Sequence, residues 1–310
     1  MVLKRYPRYH GQFKGNVTEI HLSLLSDQIV NLRKYEEGEL DTVWVGLLPP
    51  RERDRARQRH ADDYHSAPWP YIEYLILDVN QSPFHDIRVR QALSLAIDRE
   101  VLAGHYLIAN YGPANGGFIP FGVPGYSSTL ALPYAPERAR ELLAEAGYPD
   151  GLDFPVIYAQ GFKWTAPTCC YLESQWRRVL GIHVKWEILE SQALEHALHQ
   201  SSPILALAKG WESKYPDPHD FLHNGLNYYP LHWKNETFSQ LIQSAEQTTE
   251  QNKRLNMYQK ADRILMDALP IIPLTYGRLK FLVKPWVKQY PISPYKWWYW
   301  KDIVIDRRLA

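Results

Sequence analysis

Tyr74-Leu75-Ile76-Leu77-Asp78-Val79-Asn80, followed beyond Gln81–His85 by Asp86-Ile87-Arg88-Val89-Arg90-Gln91-Ala92-Leu93-Ser94-Leu95-Ala96-Ile97, decides how the rest of this chain is read. The first run is short, apolar and rich in strand formers, which predicts a largely buried strand. In the second, Asp86 is placed to cap a helix, and Val89, Leu93, Ala96 and Ile97 fall on one face at helical spacing. An amphipathic helix is therefore expected from Ile87 to about Leu107. A strand feeding a long helix is the unit from which α/β folds are assembled.

The same alternation extends both ways. Toward the N-terminus, strands are expected at Val17–Leu24 and Leu40–Leu47. Between them lies a helix over Gln28–Glu39, capped by Ser26 or Asp27 and with Gly38 near its end. Arg51–Asp63 is a dense charge run that reads as a solvated helix or loop. Toward the C-terminus, Gly112–Gly125 should be a long loop, rich in Gly and Pro. A helix from Pro136 is stopped by Gly147, and a strand follows at Phe154–Ala159. Then come a helix (Thr168–Leu180), a strand (His183–Leu189), a helix (Gln192–His199) and a short buried strand (Ile204–Ala208). Thr248-Thr249-Glu250-Gln251 fits a capping box for a helix ending at Ala268, with Leu255, Tyr258, Ala261, Leu265 and Leu269 as its apolar stripe. The end returns to strands at Ile271–Tyr276, Phe281–Val283 and Ile303–Ile305. The fold class is α/β, with helices covering the sheets.

At 310 residues the chain exceeds what one core usually organises, so two lobes are expected. The 35 basic and 34 acidic side chains leave a net charge of +1, against the basic excess expected of a nucleic-acid binder. No apolar run is long enough to cross a bilayer. Met1–His10 has neither an apolar stretch nor a cleavage site and does not read as a signal peptide. Cys169 and Cys170 are adjacent, too close for an ordinary disulfide, and are expected as free thiols on a helix. Aromatic residues reach 13%, with 11 Trp and 21 Tyr; rings fill cores, but they also line clefts that hold small molecules.

Catalytic signatures are missing from the sequence: there is no Gly-x-Ser-x-Gly elbow, phosphate-cradling glycine loop or His-Glu-x-x-His. Glu195, His196 and His199 form one cluster and His219, Asp220 and His223 another. Neither matches a spaced metal motif, so surface or packed histidines are expected, with no metal, no cofactor and no enzymatic activity.

Several stretches together resemble family 5 of the bacterial solute-binding proteins, the dipeptide-, oligopeptide- and nickel-binding group. Pro83–Glu100 is similar to the family's signature helix almost throughout. Ala139-Arg140-Glu141-Leu142-Leu143-Ala144-Glu145-Ala146-Gly147-Tyr148-Pro149 matches a second stretch, and Gln175-Trp176 with Leu180-Gly181-Ile182 a third. Gly210-Trp211 through Pro216-Asp217-Pro218 to Phe221-Leu222 matches a fourth. Gly38-Glu39-Leu40-Asp41 and Leu269-Pro270-Ile271-Ile272-Pro273-Leu274 support them, in the family's order.

The resemblance implies a type II periplasmic-binding-protein-like fold, with two lobes joined at a hinge and lobe I incomplete. Residues 1–74 would belong to lobe I, 75–273 to lobe II, and 274–310 would return to lobe I. It further implies the solute-binding component of an ABC importer, outside the cytoplasm. Such a component captures a peptide, oligosaccharide or other small solute between its lobes and hands it to permease subunits. The opening resembles an internal segment of these proteins, so a separate chain supplying the missing part of lobe I is a conceivable partner. A ligand-sensing regulatory domain and a non-functional remnant are the alternatives.

In peptide-binding members the motif after Gly-Trp carries an aspartate suited to a peptide's free amine. Here that position falls on Lys214, which implies a solute without a free amino terminus, such as an oligosaccharide or an anion. Trp211 and Tyr215 of the same loop, Trp164 in the loop after a strand, and Gln192 and Asn80 near family cleft and hinge positions complete the expected contacts.

Overall fold

The computed structural model describes residues 1–106, 111–161, 165–199, 205–207, 210–228, 231–292, 300–306 and 308. The chain divides into two units. One takes in Met1–Trp69 and the chain from Arg278 onward, and the other most of Pro70–Gly277.

The first unit carries β1 (Val2–Lys4), β2 (Glu19–His21), α1 (Gln28–Glu36), β3 (Thr42–Trp44), α2 (Pro50–Arg59) and the start of β4 (Tyr64–Leu77). The second continues β4 and adds α3 (Ile87–Leu95), α4 (Arg99–Val101), β5 (Tyr111–Pro113), α5 (Pro136–Glu145), β6 (Asp153–Gln160), α6 (Thr165–Leu180) and β7 (His183–Leu189). It goes on through α7 (Ser191–His199), β8 (Leu205–Leu207), β9 (Trp211–Glu212), α8 (Leu226–Tyr228), α9 (Glu236–Glu246), α10 (Gln251–Ala268) and the first part of β10 (Ile271–Val283). β10 ends in the first unit, where β11 (Val287–Lys288) and β12 (Val304–Ile305) follow.

In the first unit the Asp27 carboxylate accepts from the Ile29 and Val30 N–H groups at 2.9 and 3.1 Å, which starts α1 where the sequence places it. Leu32 and Tyr35 then pack with Val43, Val45, Leu48, Ala56 and Leu282. Within the Arg51–Asp63 charge run, α2 buries Ala56, while Asp63 accepts from the Tyr35 hydroxyl at 2.6 Å. β3 pairs antiparallel with the end of β10, Val43 opposite Leu282. A second cluster gathers Leu279, Phe281, Val283, Val287 and Ile303. The expected strand over Val17–Leu24 shrinks to β2, which pairs only with the three residues of β1.

In the second unit the strands lie in the order β10, β4, β8, β6, β7, with β5 on β10 and β9 on β4. β6 runs parallel to both β7 and β8, and α6 makes the crossover from β6 to β7. β4 and β8 are antiparallel. Ile72, Tyr74, Ile76, Phe118, Phe221, Tyr258, Leu265 and Ile271 are among the buried side chains of its core.

Three departures from expectation have local causes. β4 begins at Tyr64, ten residues before the run that announces it, because Pro68 and Pro70 disguise its first half. The helix from Ile87 stops at Leu95, since the Asp98 carboxylate accepts from the Glu100 and Val101 N–H groups and starts α4 afresh; a π-helical turn over Leu102–Tyr106 continues it. For α10 the capping side chain is Glu250, which accepts from the Lys253 N–H at 3.1 Å, while Thr248 Oγ1 donates back to the Ser244 carbonyl. Cys169 and Cys170 are free thiols on α6, the first buried and the second exposed.

The stretches that carry the family resemblance converge on α3 and α4. Arg90 donates to the carbonyls of Phe84, His85 and Ala268, closing the C-terminus of α10. Arg88 reaches the Glu145 carbonyl at the end of α5, and the indole N–H of Trp176 on α6 donates to the Leu93 carbonyl at 3.1 Å. Arg99 is fully buried and donates to the Pro273 and Leu132 carbonyls and to the Ser94 hydroxyl. No carboxylate is among these partners; carbonyl oxygens hold the charge, and its desolvation lowers the guanidinium to about 10.

Candidate functional site

The segment from Gly210 to Gly225 is built around one buried carboxylate. Gly210 has φ of +91°, and a Cβ there would lie 2.2 Å from the Ile72 carbonyl oxygen, so only glycine lets the chain approach β4 this closely. The next residues form β9, with Trp211 opposite Ile72 and Glu212 opposite Tyr71. Trp211 is half-buried, its ring 5.5 Å from that of Tyr228. Gly225 leaves room for it: a Cβ at Gly225 would stand 2.9 Å from Trp211 Cγ.

Asp220, wholly buried, holds the loop from inside. Its Oδ2 accepts from the Lys214 N–H at 2.6 Å and the Trp211 indole N–H at 3.4 Å, and its Oδ1 accepts from Asn224 Nδ2 at 2.7 Å. One turn earlier, Asp217 receives both guanidinium arms of Arg254 at 2.6 and 2.7 Å and the His219 N–H at 2.9 Å. Partial burial opposes ionisation of Asp217, but Arg254 and the backbone donor outweigh it and hold the carboxyl below its usual range.

The Lys214 and Tyr215 side chains stand on the exposed side of this frame. The Tyr215 ring is stacked near His219, its hydroxyl 2.7 Å from His219 Nδ1 and accepting from Asn224 Nδ2 at 3.1 Å. Chemically the loop offers an indole edge, a cation and a phenol on a rigid support, which suits recognition of an anionic or amphipathic molecule. Trp211, Lys214 and Tyr215 are thus brought together on one loop.

The remaining expected contacts lie on other elements. Asn80, exposed just beyond β4, donates to the His232 carbonyl at 2.9 Å, beside a contact of 2.9 Å between Asp78 and His232 Nδ1. Gln192 is exposed near the start of α7. Trp164 lies outside the described residues.

Of the histidine clusters, His196 is exposed on α7, and the side chains of Glu195 and His199 lie outside the described residues. His219 and His223 do meet, but Asp220 points inward, and the third member of their group is Glu246 at the end of α9. The sequence reading passes over α9, although Asn235 as its cap and Phe238, Leu241, Ile242 and Ala245 at helical spacing announce it.

The family model described as "Bacterial extracellular solute-binding proteins, family 5 Middle" matches residues 1–230. A probable deoxycholate-binding periplasmic protein, YgiS of Escherichia coli, is 28% identical over 97% of this chain and 57% of its own length. The periplasmic oligopeptide-binding protein OppA of Salmonella typhimurium is 26% identical over 94% of this chain and 55% of its own. Among solved structures, the periplasmic murein tripeptide binding protein MppA in its unliganded open form superposes with a TM-score of 0.81 at 22% identity, covering 94% of this chain and 58% of that one. HbpA2 of Haemophilus parasuis gives 0.80 at 23% identity, with 94% and 59% covered. These likenesses show the periplasmic-binding-protein fold, and the chain spans little more than half the length of the relatives it matches.

Proposed function

Since this chain belongs to family 5 of the bacterial extracellular solute-binding proteins, we propose that it captures a small solute outside the cytoplasmic membrane and delivers it to the permease subunits of an ABC importer, without catalysis. In this reading the two units are parts of lobes I and II, with the chain crossing between them in β4 and β10. A second polypeptide that completes the length of the relatives is a partner to look for.

The observation that carries the proposal is the loop held on Asp220, which presents Trp211, Lys214 and Tyr215 from a prebuilt frame. A preorganised polar and aromatic surface of this kind binds without first being ordered. Lys214 stands where peptide-binding members place the aspartate that meets a free amine. A cation there repels an ammonium and attracts a carboxylate or phosphate. The solute class is therefore an anionic or hydroxyl-rich molecule without a free amino terminus. The relative named for deoxycholate, a carboxylate on an apolar body, agrees with that chemistry. Gln192, Asn80 and Trp164 are proposed as further contacts.

Calorimetric titration tests the reading with deoxycholate, a neutral oligosaccharide, and di- and tripeptides with free termini. The anionic or hydroxylated solute should bind, with about tenfold loss in Lys214→Ala, the scale of a lost charge-assisted hydrogen bond. Tight binding of ordinary dipeptides, weakened by the same substitution, would overturn the solute class. Failure of every solute to bind would overturn the function for this chain by itself.

A further inference from the structure

The geometry of His219, His223 and Glu246 points to a site for a borderline divalent cation of the zinc, cobalt or nickel type, and we propose that the chain binds one there. One ligand atom from each residue lies within 4.8 Å of the others. His219 Nε2 is 2.8 Å from Glu246 Oε1, and His223 Nδ1 is 3.6 Å from the same oxygen. Ligands about 2.0–2.2 Å from a tetrahedral ion stand about 3.3–3.6 Å apart, so the His223 separation of 3.6 Å already fits and the His219 contact of 2.8 Å has only to open by about half an ångström. The histidines are four residues apart on one helical turn, their rings stacked 4.8 Å apart at 12°. Both imidazoles therefore face the end of α9 from the same side. Two nitrogens and one carboxylate select zinc-class ions over magnesium and calcium, which prefer oxygen-only shells.

The orienting contact is present as well. His219 Nδ1 is 2.7 Å from the Tyr215 hydroxyl. Without a cation, the tyrosine donates to Nδ1 and Nε2–H donates to Glu246. With one, the ring takes the other tautomer: Nδ1–H donates to the Tyr215 oxygen and the bare Nε2 faces the ion. Access is open, since the His223 and Glu246 side chains are 46% and 39% exposed. Both also line a depression of about 830 Å³ walled by Leu222, Leu226, Trp233 and Phe238, which leaves space for one or two retained waters. The two short contacts would by themselves be an ordinary hydrogen bond and a weak ion pair. What they do not require is a second histidine stacked in parallel within reach of the same oxygen.

Titration of the untagged chain with Co²⁺, followed by its visible absorption, and with Zn²⁺ by calorimetry, tests the site. One saturable equivalent is expected. Its affinity should fall at least tenfold in His223→Ala and in Glu246→Gln, both at exposed positions, and stay unchanged in His196→Ala. Tyr215→Phe, which removes only the orienting hydroxyl, should weaken binding by about ten- to a hundredfold. Melting temperatures without metal, equal to the parent's in each variant, separate ligand loss from misfolding. Absence of a saturable site for either ion, or equal affinity in parent, His223→Ala and Glu246→Gln, overturns the proposal. Neither result bears on solute capture, which is measured without metal.

Discussion

Arg99 Nε donates to the Pro273 carbonyl at 2.7 Å, across 174 residues of sequence. This bond joins the start of α4 to the start of β10, two of the stretches by which the family is recognised. The Arg99 guanidinium serves three acceptors, so its removal leaves the Pro273 and Leu132 carbonyls and the Ser94 hydroxyl without it. Arg99→Met should cost about 3 kcal/mol or more in urea unfolding, since each buried acceptor left without a donor costs about 1–3 kcal/mol. A loss under 1 kcal/mol would show that water takes over these acceptors.

Asp220→Ala should uncouple the candidate site from the core. The Lys214 N–H and the Trp211 indole N–H lose their shared acceptor. A destabilisation of about 2–3 kcal/mol is expected. Solute affinity should fall by more than stability alone accounts for, because the loop would have to be ordered on binding. Hydrogen exchange at the Lys214 amide is the direct check: it should be faster in the variant than in the parent.

Gly210→Ala forces a Cβ into the Ile72 carbonyl at a positive φ. A cost of at least about 2 kcal/mol is expected from strain and lost β9–β4 pairing. Tryptophan emission should shift as Trp211 is displaced, and an unchanged spectrum with full stability would contradict the close approach.

Glu73 sets a pH dependence. It is fully buried in the second unit, where desolvation raises its carboxyl to about 8 despite the Thr275 hydroxyl 3.3 Å away. Folded chains therefore hold this proton above the ordinary value of 4.5, at which unfolded chains release it. The resulting stability is full below 4.5 and is lost as pH rises through about 8, at about 1.4 kcal/mol per pH unit in between. Asp262, raised by burial to about 7 against the Phe118 and Ile119 N–H groups, acts with the same sign at lower pH. Between pH 7 and 8 the decline should belong mainly to Glu73. Glu73→Gln should flatten it and be more stable than the parent at pH 9, as judged by melting temperature.

Local signals carried the parts of the fold that the sequence made legible. Pro136 and Gly147 bracket α5, the alternation of His183–Leu189 is β7 residue for residue, and the stripe from Leu255 to Leu265 lies on α10. Signals failed where two readings compete. Asp98 sits inside an unbroken apolar periodicity yet ends one helix and starts another, and prolines hide the first half of β4. At the site, the Gly210-Trp211 motif located the loop. Its support came from Asp220, which composition alone casts as one more acidic surface residue. The partner of His219 and His223 was out of reach for the opposite reason. Glu246 is supplied by a helix that begins at Glu236, and no spacing rule links it to a histidine pair.

The arginines and the tryptophan that make this lineage recognisable are spent on carbonyl oxygens of the protein's own backbone. They are a joinery, and joinery is indifferent to what the finished container holds. Two chains with the same Arg90, Arg99 and Trp176 can therefore diverge freely in cargo while remaining kin by every whole-length measure. Under the proposed function, sorting such proteins by substrate starts from the few side chains carried by the loop that Asp220 suspends.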